Sequence, residues 1–244
     1  MAARKTLTDR WGKPLRAEVV FFDVGGTLVC SDLGHLDLLH QALLVIGYRL
    51  TRDEVVEANE HARRAVARRR RRLVSRMDTS EASRMWLEHL AEALELGIQG
   101  PDLEVELTWA IREIETGGEV AVDPDAPRLL ENLLARGLRL GVISNWSADL
   151  PQYLADRDLA KYFETIIASD AVGTSKPHRE IFLRGLAAMG CSPHEAVHVG
   201  DDYWADVVGA RDIGMGAVLV DRDREAVHSD CPTIARLRDL ESLV

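Results

Sequence analysis

The spacing of apolar residues changes character twice along the chain, and each change marks a change of element type. Residues Glu18 to Asp23 (EVVFFD) are a short apolar run rich in Val and Phe that stops at Gly25 and Gly26, the pattern of a buried strand entering a tight turn. From about Ser31 to Gly118 the strand signal disappears. Apolar residues there recur at helical spacing through Leu36, Leu43 and Leu44, Val55 and Val56, Ala62 and Val66, Met85 to Leu90, and Leu103 to Ile114, with turn signals at Gly97 to Pro101 and Thr116 to Gly118. After residue 119 strands and helices alternate: Leu138 to Ser144, Glu164 to Ser169, Ala196 to Gly200 and Gly216 to Val220 are strand-like and separated by amphipathic, helix-length stretches. Such alternation predicts a parallel sheet with helices on both faces. The expected fold is therefore α/β: a doubly wound, five-stranded parallel sheet from residues 1–30 and 119–244, with an all-helical domain, 31–118, inserted after the first strand.

Composition narrows the setting. The 244 residues are 46% hydrophobic and 29% charged, enough to bury one full core and a smaller module. No apolar run approaches the roughly 20 residues of a membrane span, and the first sixteen residues are polar and broken by Gly12 and Pro14. A cytoplasmic protein without a membrane partner is expected. Cys30, Cys191 and Cys231 form no Cys-x-x-Cys pair, which argues against a disulfide framework or a thiolate zinc site. A formal charge of -10 disfavours nucleic acid as a partner. The exception is local: Arg63 to Arg76 holds eight arginines and no acid, read as a solvated helix face balanced by acidic flanks. Arg70 shares the apolar stripe of Ala62, Val66, Leu73 and Met77, which makes it a candidate for reading an anionic group of a ligand.

In open parallel sheets the ligand crevice lies beyond the carboxyl ends of the strands. Those ends carry Asp23, Ser144 with Asn145, the loop with Lys176, and Asp201 with Asp202. Each alone is equally well read as a turn former. Together and in this order they resemble the haloacid dehalogenase (HAD) superfamily of aspartate-nucleophile hydrolases. The first motif is Phe22-Asp23-Val24-Gly25-Gly26-Thr27-Leu28, the second Val142-Ile143-Ser144-Asn145, the third Ser175-Lys176-Pro177 and the fourth Val199-Gly200-Asp201-Asp202, with Asp206 following. The helical insertion is similar to the family's small mobile cap.

The resemblance implies a Mg²⁺-dependent phosphatase acting on a small phosphorylated molecule. Asp23 would be the nucleophile and a metal ligand, with Asp201 and the Gly25 carbonyl as further ligands. Lys176 would neutralise Asp23 and phosphate. The Ser144 hydroxyl would hold the transferring oxygens, Val24, Thr27 and Asn145 would bind substrate, and Asp202 and Asp206 would stand behind the metal ligands; Arg70 joins the substrate-binding residues on the reading of its helix face alone. In one place the chain departs from the family's phosphatases, which carry a second Asp, the general acid/base, where this chain has Gly25. A positioned general acid/base contributes about 10²- to 10⁴-fold, so leaving groups that need no proton, such as acyl phosphates, would be favoured. Asp32, His35 and Asp37 lie close enough in sequence to be considered as substitutes. Two other readings remain: a 2-haloacid dehalogenase, which also lacks the second Asp but needs no metal, and a catalytically weakened binding protein. A Schiff-base phosphonatase is disfavoured because Lys5, Lys13, Lys161 and Lys176 all lie outside the insertion.

Overall fold

The computed structural model describes residues 17–30, 35–72, 79–117, 121–222 and 231–244. The chain divides into two compact units, with Ser31–Ala121 forming one and the flanking segments the other.

The inserted unit holds helices α1 (His35–Ile46), α2 (Arg52–Arg72), α3 (Thr79–Ala93) and α4 (Gly100–Gly117). Their apolar stripes meet in one cluster that includes Leu39, Leu43, Val55, Ala62, Leu87, Leu90, Leu103 and Leu107. Each fully buried leucine contributes roughly 1.5–3 kcal/mol, so packing rather than intrinsic propensity holds these helices. The start of α2 is set locally: the Glu54 carboxylate accepts the Thr51 backbone N–H at 2.7 Å, and the Glu54 N–H donates to the Thr51 hydroxyl at 3.3 Å. This reciprocal arrangement satisfies two of the free donors at a helix start. Arg64 on the basic stretch of α2 pairs with Glu60 one turn earlier at 3.1 Å, both largely exposed. Among the described residues, no helix is long and apolar enough to cross a membrane.

The strands are β1 (Val19–Phe22), β2 (Val29–Cys30), β3 (Ala121–Val122), β4 (Arg139–Ser144), β5 (Thr165–Ala168), β6 (Ala196–Gly200), β7 (Gly216–Val220) and β8 (Thr233–Ile234), all in the other unit except β3, whose two residues fall on either side of the division. Among the described residues six of them form one sheet in the order β5-β4-β1-β6-β7-β8, all of whose pairings are parallel, while β2 and β3 pair separately. The expected five strands are thus one too few. The sixth, β8, adds to β7 through Leu219 with Thr233 and Val220 with Ile234; two residues after a proline carry no alternation from which a strand can be read.

All four residues of β1 are buried, as its unbroken apolar run requires of a strand covered on both faces. Helix Arg179–Met189 supplies one cover by packing Ile181, Phe182 and Leu186 into a cluster with Phe21 and Ile143. Helix Ala126–Ala135 buries Leu129, Leu130 and Leu133. Phe22 lies beside Val142 of β4 on one side and Val199 of β6 on the other. The chain therefore departs from β1 in both directions across the sheet, and a crevice opens where the ends of β1, β4 and β6 part.

Candidate active site

The residues that leave those three strand ends converge. Asp23 follows β1 directly, and its backbone N–H donates to the Val199 carbonyl at 2.8 Å, which extends the ladder with β6 by one bond. The next carbonyl, that of Val24, accepts the N–H groups of Thr27, Leu28 and Val29 at 3.2, 2.9 and 3.0 Å, so the chain turns sharply around it. At Gly26 the backbone takes a φ of +66° and runs against the fourth motif: a Cβ there would sit 2.2 Å from Asp201 Oδ2. Only glycine satisfies both constraints. Thr27 is wholly buried, with its hydroxyl donating to Asp201 Oδ1 at 3.4 Å.

Lys176 is brought in from the loop after β5. The side-chain amide of Asn145, just past β4, accepts the Lys176 backbone N–H at 2.7 Å and donates to its carbonyl at 3.0 Å. Anchored at its backbone, the lysine extends Nζ to 2.6 Å from Asp23 Oδ1 and 2.6 Å from Asp206 Oδ1. Its side chain is 2% exposed, so both ion pairs are shielded from water. Ser144, buried at the end of β4, is near enough for its hydroxyl to favour the Asp23 carboxylate slightly.

Asp206 lies in the single π-helical turn Tyr203–Val208, which Asp202 caps by accepting the N–H groups of Trp204 and Ala205 at 2.6 and 2.8 Å. Besides Lys176, Asp206 Oδ1 is met by His198 Nε2 at 2.8 Å, and Oδ2 accepts the Asp202 N–H at 3.0 Å. Both oxygens are thus engaged by protein donors. The approach is close enough that a Cβ on Gly200 would fall 2.1 Å from the Asp206 carboxyl carbon. His198 is fully buried, edge-on to the Phe182 ring at 5.3 Å, and its Nδ1 has no hydrogen-bond partner among the described residues.

The charges in this cluster do not balance, and the titration of each group follows. Burial disfavours the Asp206 carboxylate, but Lys176 and His198 outweigh it and hold its pKa far below the ordinary range. Burial likewise opposes the Lys176 ammonium, and the attraction of Asp206 and Asp23 overcomes it, so the lysine stays protonated. For Asp23 burial prevails over the pull of Lys176, and Asp206 adds to it, so the pKa is raised. Asp201 is raised well above the ordinary carboxylate value by burial and then by Asp23, Asp206 and Asp202.

One carboxylate oxygen each from Asp23, Asp201 and Asp206 lies within 4.8 Å of the others. With Asp206 committed to Lys176 and His198, the uncompensated charge rests on Asp23 and Asp201. An all-oxygen, anionic donor set of this kind fits a hard divalent cation such as Mg²⁺, whose charge would oppose the burial and the mutual repulsion that raise both groups.

The expected site residues thus separate into groups. Asp23, Ser144, Lys176, Asp201 and Asp206 come together. Asn145 holds the Lys176 loop, Asp202 caps the turn that carries Asp206, and Thr27 and Val24 are buried in the loop that follows β1, where Gly25 bridges to Val29. The backbone of Arg70 belongs to α2; its side chain, like that of His35 and all of Asp32, lies outside the described residues. Three contributors were not foreseen. Gly26 read only as a turn residue. His198 stands in the apolar run AVHVG, where a polar residue inside a buried strand was a usable signal. Arg222, in the polar run after β7, had none; its guanidinium donates to the carbonyls of Gly26 and Thr27 and to Asp123 Oδ2.

Residues 17–214 match the family of haloacid dehalogenase-like hydrolases. Among curated proteins, the chain is 34% identical to haloacid dehalogenase-like hydrolase domain-containing protein 3 of Xenopus laevis over 55% of this chain and 56% of that protein. It is 36% identical to a phosphoserine phosphatase of Thermus thermophilus over 49% of each. The chain thus spans about half the length of these relatives. Two solved structures superpose with a TM-score of 0.54: a HAD phosphatase from Thermococcus onnurineus, 25% identical over 93% of this chain and 96% of that one, and a 2-haloacid dehalogenase from Pseudomonas syringae, 26% identical over 92% and 96%.

Proposed function

The chain belongs to the haloacid dehalogenase-like hydrolases, and on that footing we propose that it is a Mg²⁺-dependent phosphatase that cleaves a small phosphorylated metabolite with Asp23 as nucleophile. The observation that carries this reading is the placement of Lys176 Nζ 2.6 Å from both Asp23 and Asp206, beside a further carboxylate on Asp201. A carboxylate attacking a phosphoryl group approaches an anion, and two like charges 4 Å apart repel by about 4 kcal/mol at an effective dielectric near 20. The Lys176 ammonium stands where it opposes that repulsion.

An oxygen of Asp23 bonds to phosphorus as the bond to the leaving oxygen breaks, which leaves an aspartyl phosphate; water then adds at phosphorus, frees the carboxylate and releases phosphate. Asp206 acts through Lys176 by keeping it protonated and aimed at Asp23. Ser144 orients the Asp23 carboxyl through its hydroxyl. Mg²⁺ held by Asp23, Asp201 and the Gly25 carbonyl would supply positive charge against the phosphoryl oxygens. By the family resemblance the inserted helical unit would serve as a cap, and Arg70, by its place on the apolar stripe of the basic stretch, would read a second anionic group.

Gly25 offers no side chain to protonate the leaving oxygen, so the substrate has a leaving group that departs unprotonated, as in an acyl or aryl phosphate. The dehalogenase alternative draws on the likeness to the Pseudomonas enzyme. It is the weaker reading because the carboxylates of Asp23, Asp201 and Asp206, crowded within 4.8 Å of one another, are costly to hold together without a divalent cation, which attack on carbon does not need.

The test is turnover of p-nitrophenyl phosphate, acetyl phosphate and a sugar phosphate with and without Mg²⁺, alongside Asp23→Asn. Mg²⁺-dependent cleavage of the first two that vanishes in Asp23→Asn is expected. Chloride release from a 2-haloacid in EDTA, with no phosphate released from any of the three, would replace the phosphatase reading with the dehalogenase one.

A further inference from the structure

Arg222 lies outside every motif of the site, yet it touches the loop on which the site depends. It stands two residues past β7, with its side chain 28% exposed, and its guanidinium makes three contacts. One Nη donates to the Gly26 carbonyl, and the other donates to the Thr27 carbonyl at 2.7 Å and to Asp123 Oδ2 at 2.7 Å. Asp123 is itself fixed: its backbone N–H donates to the Leu28 carbonyl at 2.9 Å, and its Oδ1 accepts the Asp125 N–H at 2.8 Å.

The two carbonyls that Arg222 holds belong to the two residues that meet Asp201. The Gly26 backbone lies against Asp201 Oδ2, and the Thr27 hydroxyl donates to Asp201 Oδ1. A planar fork that reaches two successive carbonyls and a carboxylate restrains the rotation of that segment in a way a single ammonium cannot. We propose that Arg222 is a positioning residue for the cation site, setting the Asp201 carboxylate by clamping residues 26 and 27 against Asp123.

The proposal rests on the Mg²⁺ reading of the cluster, and its test separates the two. Mg²⁺ binding to the 244-residue chain is measured by titration calorimetry for the wild type, Arg222→Met, Arg222→Lys and Asp201→Asn, with circular dichroism and a urea midpoint reporting the fold. Loss of a group that orients a ligand from outside the coordination shell weakens metal binding about 10- to 100-fold. Arg222→Met is expected to weaken Mg²⁺ binding by about tenfold, at the lower end of that range, with a native spectrum. Arg222→Lys, which keeps a cation opposite Asp123 but not the fork, is expected to weaken it by roughly threefold. In turnover of p-nitrophenyl phosphate the Mg²⁺ concentration for half-maximal rate should rise in step, while KM at saturating Mg²⁺ stays at the wild-type value. A purely structural arginine would lower the urea midpoint and leave Mg²⁺ affinity unmoved. Wild-type Mg²⁺ affinity in folded Arg222→Met overturns the proposal alone; if that variant does not fold, wild-type affinity in Arg222→Lys does the same. Absence of Mg²⁺ binding in the wild type overturns the cation site and the proposal together.

Discussion

Replacing Lys176 with Met tests how the buried charges are balanced. In metal-free protein the substitution removes the ammonium that lies 2.6 Å from two buried carboxylates. Opposite charges 4 Å apart at an effective dielectric near 20 attract by about 4 kcal/mol, but much of that gain only repays the desolvation of the ions. Stranding the partner of a buried ion pair costs about 3–5 kcal/mol. Protonation supplies an independent ceiling. Once Lys176 is gone, one carboxyl can take up a proton, and for a group with the ordinary value of 3.8 this costs about 1.36 kcal/mol per pH unit, or about 4.4 kcal/mol at pH 7 and about 1.6 kcal/mol at pH 5. The sign follows from the wild type: Asp206 is held below its ordinary value, so its contribution is complete above pH 3.8 and is lost only as the pH falls beneath that. The variant's deficit should therefore be about 4 kcal/mol at pH 7 and shrink by about 1.4 kcal/mol per unit toward pH 5. Asp201 is raised in both proteins and largely drops out of the difference. Urea unfolding followed by circular dichroism at pH 5, 6 and 7 in EDTA reads this directly, and adding Asp206→Asn to the variant should restore at least half of the loss at pH 7. A deficit below about 1 kcal/mol at pH 7, or one that does not change with pH, would refute the picture of a buried ammonium that holds Asp206 ionised beside Asp23.

Gly26→Ala combines an unfavourable left-handed conformation, about 1–2 kcal/mol, with a Cβ 2.2 Å from Asp201 Oδ2; a urea midpoint lowered to match, and loss of Mg²⁺-dependent turnover, are expected. His198→Phe removes a donor to a charged acceptor, a bond worth roughly 1.5–3 kcal/mol, so urea stability should fall by that order while His198→Gln, which keeps an N–H toward Asp206, recovers most of it. Burial pushes the Cys30 thiol from 9.0 up to about 11, with Arg222 opposing the shift and Asp123 and Asp201 adding to it. Its alkylation by iodoacetamide at pH 8.5 should be roughly 100-fold slower in folded than in urea-unfolded protein, and the matching stability, present below pH 9.0, should be lost as pH rises through about 11.

Much of this was legible in the residues themselves. The apolar runs that became β1, β4, β5, β6 and β7 are continuous because both faces of a parallel sheet are covered, and burial on two sides leaves no room for alternation. The polar residues just past three of those strands, Asp23, Asn145 and Asp201, fall at the crevice for a topological reason: wherever the neighbours are parallel, carboxyl ends share one edge. The helical character of the insertion was readable from periodicity, since each helix buries one stripe in a common core, but the number of helices and their bounds were not. What the chain's pattern leaves undetermined is every relation between segments far apart in sequence. Asp206 reads as a helix-start carboxylate, but the fold sets it against Lys176, thirty residues earlier, and His198, eight earlier, so it serves as an anchor for the lysine. Gly26 reads as a turn, and only the approach of Asp201 from 175 positions away in the chain makes a side chain there impossible. Arg222 carries no local mark at all, because a guanidinium in a polar run has no partner until the sheet places β7 near the loop after β1. Local pattern records which face of an element is buried; which charges share a low-dielectric pocket, and hence how each one titrates and what it can hold, is decided only when the strand ends meet.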